Sequence, residues 1–90
     1  MNDTMDDMPQ DETQLPRIFE TTDFYLACFL RCIGYDLDGA RRAGQRVVFV
    51  FQDRPERPRD LMGFFSDKVT VKPLRFVAAI KDLKALLHST

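Results

Sequence analysis

Residues 24–33, with the sequence FYLACFLRCI, constrain the fold of this chain more than any other stretch. Arg31 is the only charged residue among them, so a helix built from this stretch is apolar on nearly every side. The stretch is far shorter than the roughly 20 apolar residues that a membrane-spanning helix needs. A helix of this length is also unstable alone in water. The sequence therefore predicts that tertiary contacts surround this helix in a small folded domain.

Neighbouring residues predict where this helix begins and ends. We expect it to run from Thr22 to Cys32, with a threonine at position 21 or 22 as its cap and Gly34 as the left-handed residue that ends it. Cys28 and Cys32 lie four residues apart on one helix face, where a disulfide would be strained. Both cysteines are therefore expected to be reduced residues of the core.

The first 16 residues differ in composition from the rest of the chain. They hold five acidic residues, no basic residue and no periodic apolar pattern, which predicts a disordered acidic tail. They also lack the basic start and apolar core of a signal peptide, so a cytoplasmic protein without membrane contact is expected. Residues 17–90 keep all 13 basic residues and nine of the 14 acidic ones, which gives this part a net charge of +4. We expect residues 17–90 to form one compact domain.

Residues 35–53 predict a β-hairpin that turns at positions 42–44. A two-residue loop at 43–44 would place Tyr35 and Leu37 on the face of Val48 and Val50. A three-residue loop with Gly44 in a left-handed conformation instead pairs position 37 with 49 and position 35 with 51. The second register is favoured because it collects the larger core candidates on one face: Tyr35, Leu37, Val47, Phe49 and Phe51.

The favoured register leaves apolar residues on the opposite face of the hairpin as well. Asp36 and Asp38 fall there, opposite Val50 and Val48. A strand that is apolar on both faces usually lies in a sheet that is covered on both sides. The hairpin therefore predicts a second covering layer.

The remaining elements complete an α+β fold with a small antiparallel sheet packed against helices. A proline-containing loop precedes a short helix at 59–65, and residues 68–72 are weighed as a short third strand. Pro73 opens a last helix that ends at His88. Its predicted core stripe consists of Phe76, Ile80, Leu83 and Leu87, broadened by Leu74, Val77 and Leu86. The predicted order is α-β-β-α-(β)-α.

Several segments together resemble a known family. The segments TTDFYLACFLRCIGY, RVVFVFQD, FF and VKPLRFVAAIKDLKALLH are similar to those of a small bacterial domain family of unknown function, number 5659. The resemblance covers residues 19–88 and rests mainly on apolar and turn positions. Tyr25, Arg31 and Asp53 match as well, without a role to transfer. The resemblance implies one α+β domain of bacterial or mobile-element origin, and it implies no activity.

No residue pattern indicates catalysis, a metal or a cofactor. The single histidine, His88, lies near the end of the last helix, where a solvent-facing or capping role is expected. Asp36 and Asp38 share a strand face but have no third ligand in view. Cys28 and Cys32 do not have the spacing of a zinc site. We therefore expect a protein that is not an enzyme and uses no cofactor.

Two groups of arginines make weak nucleic-acid binding the alternative function, for example in an accessory protein of a mobile element or phage. Arg41, Arg42 and Arg46 crowd the hairpin tip, and a two-stranded ribbon can enter a groove of DNA. The second group consists of Arg54, Arg57 and Arg59. About 26 Å of strand separates the two groups, so they do not form one patch. Arginines that keep an edge and a loop soluble are the simpler interpretation.

Self-association is the favoured function, as a homodimeric interaction or accessory domain with an unknown protein partner left open. The first helix and the strand at 47–51 carry more apolar surface than one hairpin and three helices are expected to cover, and a twofold copy is the commonest cover. The predicted interface residues are Val48, Val50, Phe24 and Tyr25. The alternative is that the first helix lies between the sheet and the last helix, with the short helix over its remaining side.

Overall fold

The computed structural model describes residues 17–90, so the predicted acidic tail lies outside the described residues. Three strands and three helices follow one another along this part of the chain: β1 (Ile18–Thr21), α1 (Phe24–Cys32), β2 (Leu37–Ala43), β3 (Arg46–Gln52), α2 (Arg57–Phe65) and α3 (Pro73–His88). The strands form one antiparallel sheet in the order β1-β3-β2. None of the described helices is long and apolar enough to span a membrane.

This architecture confirms the α+β class, with a small antiparallel sheet and helices packed on it. The third strand, however, is β1 and precedes the hairpin, whereas residues 68–72 have no strand structure. β1 adds to the free edge of β3 with Phe19 opposite Phe51. Val69 and Val71 reach the core from an irregular segment instead. The two valines alternate in the sequence because both contact the core, and residues 68–72 do not pair with an edge of the sheet.

The hairpin turns one residue later than predicted. Ala43 pairs with Arg46 across a two-residue loop, Gly44 and Gln45. Only Gly44 of this loop has a positive φ, +66°, which is the pattern of a type II′ turn. A bulge between Leu37 and Gly39 then shifts the register, so Leu37 lies opposite Phe51.

Both proposed registers were therefore wrong, but the predicted core face was right. The bulge restores the alternation that the later turn would have reversed. All five residues that were predicted to share the core face belong to the core or pack against it: Tyr35, Leu37, Val47, Phe49 and Phe51. Tyr35, Phe49 and Phe51 are fully buried or nearly so. Burial of each such side chain stabilises the fold by roughly 1.5–3 kcal/mol.

Helix α1 is covered on most of its sides within one chain. The five consecutive residues 26–30 are all buried. The ring of Phe24 lies 6.1 Å from that of Phe49 in the sheet, and the ring of Phe29 lies 5.2 Å from that of Phe64 in α2. Helix α3 contributes Ala79 and Leu83 to the same core. The alternative weighed for this helix, a position between the sheet, α3 and the short helix, is what the structure shows.

Local interactions fix both ends of α1. The helix begins at Phe24, two residues later than predicted, because Asp23 is the cap: its carboxylate accepts a hydrogen bond of 3.0 Å from the Leu26 N–H. Thr21 supports the cap by accepting a hydrogen bond from the Asp23 N–H. Gly34 follows the helix with a φ of +101°, as predicted.

Helix α2 is tied to the sheet by a buried tyrosine. Its first residue is Arg57, two residues earlier than predicted, and Pro58 lies in its first turn. The hydroxyl of Tyr35 donates a hydrogen bond of 2.6 Å to the carboxylate of Asp60. Burial, and then this hydrogen bond, raise the pKa of Tyr35. The phenol is thus held protonated as a donor to α2.

Helix α3 has the predicted limits but a narrower core face. Phe76, Ala79, Ile80, Leu83, Leu86 and Leu87 belong to the core or pack against it. Leu74 and Val77 point outward and are 80% and 42% exposed. Their assignment to the core stripe was wrong, because the packing partners of α3 lie along one side of the helix only.

Candidate interaction surfaces

The face of the sheet that points away from the helices is the first candidate surface. Side chains alternate along a strand, so the pairs Glu20–Val50 and Arg41–Val48 place four side chains on this face. Ile18 joins them through its pairing with Gln52. We call this surface the outer face, and its members are Ile18, Glu20, Arg41, Ala43, Arg46, Val48, Val50 and Gln52.

An ion pair crosses the middle of the outer face. Arg41 of β2 and Glu20 of β1 approach to 3.1 Å on either side of β3, and their side chains are 53% and 38% exposed. Their pairing partners in β3 are two residues apart, so the pair passes between Val48 and Val50. Solvent screening at this exposure limits its contribution to stability to less than about 1 kcal/mol.

The two predicted valines lie on the outer face, as expected, and differ in exposure. Val48 is 8% exposed and yet is not part of the core cluster. Val50 is half-buried, and Ile18 is 50% exposed. None of these three residues packs against the core. Ile18, Val48 and Val50 therefore form a small apolar strip on the outer face, and the Glu20–Arg41 ion pair crosses it.

Phe24 and Tyr25, the other two predicted interface residues, lie on the opposite side of the sheet. Phe24 is half-buried against Phe49 on the helix-covered face. Tyr25 is 59% exposed and contacts Phe24 edge to face, with ring centroids 5.3 Å apart. The four predicted residues are therefore not brought together into one patch.

The hairpin arginines are partly engaged within the chain. Arg41 pairs with Glu20, and Arg46 donates a hydrogen bond of 3.3 Å to the Thr22 hydroxyl. Arg42 is exposed, and among residues 17–90 it forms no ion pair.

The second arginine group stabilises the junction between β3 and α2. Arg54 lies over the ring of Tyr35, 4.4 Å from its centroid, and donates to the carbonyl of Gly34. Arg57 lies 4.6 Å from the ring centroid of Phe19 and forms an ion pair of 3.1 Å with Asp53. These contacts are cation–π and charge-assisted interactions within the fold.

Asp53 and Arg59 complete this junction. Burial raises the pKa of Asp53, but hydrogen bonds from Arg57 and from the Arg54 N–H outweigh it and lower the pKa below its usual value. Arg59 is exposed. Of the six arginines proposed for nucleic acid, Arg42 and Arg59 are the two for which the described residues supply no partner.

The side chains weighed for catalysis or metal binding are placed apart. Asp38 accepts hydrogen bonds of 2.8 and 2.9 Å from the Gln52 amide, and Asp36 is exposed. His88 is the exposed last residue of α3. Cys28 is a buried thiol whose pKa is raised to about 11, mainly by burial. Within residues 17–90, no group of three or more His, Cys, Asp or Glu side chains is placed to hold a metal ion.

The helices expose large apolar side chains that the sequence did not indicate. Met62, Phe65, Leu74 and Val77 are between 42% and 80% exposed. Phe65 has the same helical spacing as core residues, so its exposure could not be inferred without knowing which side of α2 packs.

The fold defines a class: a small α+β domain in which three helices cover one face of a three-stranded antiparallel sheet. Residues 16–89 match the family described as Domain of unknown function (DUF5659), and the chain belongs to this family. The resemblance inferred from the sequence is thereby confirmed. No match was found among curated proteins or among solved structures.

Proposed function

We propose that this is a non-enzymatic interaction domain of a bacterial cytoplasmic protein, and that it self-associates through the outer face of its sheet. One observation carries the proposal. All three described helices contribute residues to a single core on one face of the sheet, whereas Ile18, Val48 and Val50 on the other face do not pack against that core. A strand that is apolar on both faces is best covered on both, and a twofold copy supplies a matching surface.

The dimensions of the outer face indicate a weak dimer. Strands β2 and β3 have seven residues each. The three-stranded face is therefore roughly 23 Å long and 14 Å wide. Such a face buries less than the roughly 1,200 Å² in total that marks the low end of stable complexes. Association in this range is reversible and depends on concentration.

The ion pair between Glu20 and Arg41 does not oppose this association. Glu20 and Arg41 already neutralise each other within one chain, so a second copy would bury neither of them as an unpaired charge. A different protein with an apolar strip of its own would fit the same face, and the oligomeric state distinguishes the two occupants.

A double substitution at the exposed part of the strip tests the proposal. Ile18→Lys with Val50→Lys introduces two charges where the side chains are exposed or half-buried, so the monomer is expected to stay folded. Val48→Lys is a poorer choice, because Val48 is 8% exposed and a lysine there would also test folding. Leu74→Lys with Val77→Lys is the matched control, with the same added charge on the outward side of α3.

Nucleic-acid binding by the hairpin arginines has weaker support, because Arg41 and Arg46 have partners within the chain. We expect the full chain to leave short DNA and RNA duplexes unshifted in fluorescence anisotropy at low salt. A salt-dependent shift that disappears in the triple variant R41A/R42A/R46A would favour nucleic-acid binding over self-association.

A further inference from the structure

A groove between the end of α1 and the start of α3 is separate from the outer face. It is lined by Cys32, Ile33, Gly34, Val71, Lys72 and Arg75. The side chains of Cys32, Ile33 and Val71 are half-buried and form its apolar part, whereas Lys72 and Arg75 are exposed. The groove thus combines an apolar floor with a basic rim.

Positive charge at the start of α3 is not balanced within the described residues. No acidic residue lies in the first turn of α3, and no side chain caps its free amides. Among residues 17–90, neither Lys72 nor Arg75 forms an ion pair. The helix dipole adds to both charges at this end. The apolar floor of the groove lies beside these charges, so the surface suits a carboxylate that has an apolar neighbour.

The chain itself contains a segment of matching chemistry. Residues 1–16 have five acidic side chains and no basic one. Apolar residues lie between and beside the acidic ones in this segment: Met5 and Met8 flank Asp6 and Asp7, and Leu15 follows Asp11 and Glu12.

The attachment point of this segment lies close to the groove. The carbonyl of Arg17 accepts a hydrogen bond of 3.0 Å from the Asp53 N–H. The next residue, Arg54, donates to the carbonyl of Gly34, which lines the groove. Sixteen residues can extend over roughly 55 Å at most, so the acidic side chains can reach the groove without strain.

We propose that residues 1–16 bind in this groove of their own chain, with carboxylates on Lys72 and Arg75 and an apolar side chain against the floor formed by Cys32, Ile33 and Val71. Three of the other arginines compete poorly for the segment. Arg41, Arg54 and Arg57 already interact with Glu20, Tyr35 and Asp53. The proposal is independent of self-association through the outer face.

Backbone amide NMR spectra of the full chain test this proposal. In the first variant the five acidic residues become neutral: Asp3→Asn, Asp6→Asn, Asp7→Asn, Asp11→Asn and Glu12→Gln. Among residues 17–90, the largest shift changes are expected at positions 32–34 and 71–75. In the second variant, Lys72→Glu with Arg75→Glu, the amides of residues 1–16 are expected to shift.

Lys81→Glu with Lys84→Glu is the control for the second variant. It makes the same change in charge on the same helix, about two and a half turns further on, and should leave the amides of residues 1–16 unchanged. The proposal would be overturned if the Lys72/Arg75 and Lys81/Lys84 variants shifted the amides of residues 1–16 equally. Shift changes in the first variant that centre away from the groove would overturn it as well. A perturbation that disappears on dilution would assign the groove to the segment of a second copy, which also overturns binding within one chain.

Discussion

Arg41 and Glu20 form an ion pair of 3.1 Å across the central strand, between the side chains of Val48 and Val50. The two charged residues belong to the two edge strands, so the pair connects β2 to β1 over β3. It thereby makes the outer face of the sheet partly polar while leaving its apolar strip in place. A second copy on the outer face therefore has to contact both the apolar strip and the ion pair.

The ion pair is expected to contribute little to folding. A double-mutant cycle with Glu20→Gln and Arg41→Gln should give a coupling energy of about 0.2–1 kcal/mol, falling as salt increases. Urea unfolding of the four proteins measures it. A coupling well above this range that persists in high salt would mean that the pair is desolvated and has a larger structural role.

Loss of the Tyr35 hydroxyl should destabilise the domain. Tyr35→Phe removes the hydrogen bond to Asp60, and the expected loss is about 1–2 kcal/mol in the free energy of unfolding. Tyr25→Phe is the control, since Tyr25 is 59% exposed and should change little. Equal stability of the two variants in urea unfolding would show that the hydrogen bond is not needed to hold α2.

The same tyrosine predicts the direction of an alkaline effect. Burial and the Asp60 hydrogen bond raise the pKa of Tyr35 above its usual 10.0. Above that pH the unfolded chain loses the proton that the folded chain keeps, so the free energy of unfolding falls as pH rises. Tyr35→Phe should show a shallower decline than the wild type between about pH 9.5 and 11. Parallel curves for the two proteins would contradict this assignment.

The two cysteines should react at different rates. With its pKa raised from 9.0 to about 11, Cys28 has roughly 100-fold less thiolate at pH 8 than an unperturbed thiol, and it is also buried. Cys32 is half-buried. Iodoacetamide labelling followed by peptide mass spectrometry should find modification first at Cys32. Labelling of Cys28 at an equal rate in the folded protein would contradict the packing of α1.

Gly63 should not tolerate alanine, although alanine normally favours a helix. A Cβ atom at position 63 would lie 2.8 Å from Cγ1 of Val69. Gly63→Ala should therefore destabilise the domain by about 1–3 kcal/mol instead of stabilising it. Val69→Ala removes the atom that clashes with the new Cβ. The double variant Gly63→Ala, Val69→Ala should therefore lose less stability than the sum of the losses in the two single variants. A gain in stability from Gly63→Ala alone would refute this contact.

The sequence predicted those features that depend on local patterns. The limits of α3 follow from Pro73 and from its helical periodicity, and Gly34 has the left-handed conformation that ends α1. The inward face of the hairpin was predicted as well, because a large aromatic set such as Phe49 and Phe51 has to be buried whatever the loop. These are properties of short segments.

Features that depend on distant partners could not be predicted in the same way. β1 is four residues long, and it is a strand because the edge of β3 is free to pair with it. The bulge near Gly39 offsets the later turn, and neither is evident from a pattern of alternation. Leu74 and Val77 have helical spacing like that of core residues, and only the position of α1 decides which side of α3 is buried.

Sedimentation velocity on the full chain over a wide range of concentrations tests self-association most directly. The wild type and the Leu74→Lys, Val77→Lys control should approach twice the monomer mass of 10.5 kDa as concentration rises. The Ile18→Lys, Val50→Lys variant should remain at 10.5 kDa while keeping its helical circular dichroism. A wild type that stays at the monomer mass at every concentration, or a dimer that persists undiminished in the Ile18→Lys, Val50→Lys variant, would contradict association through the outer face.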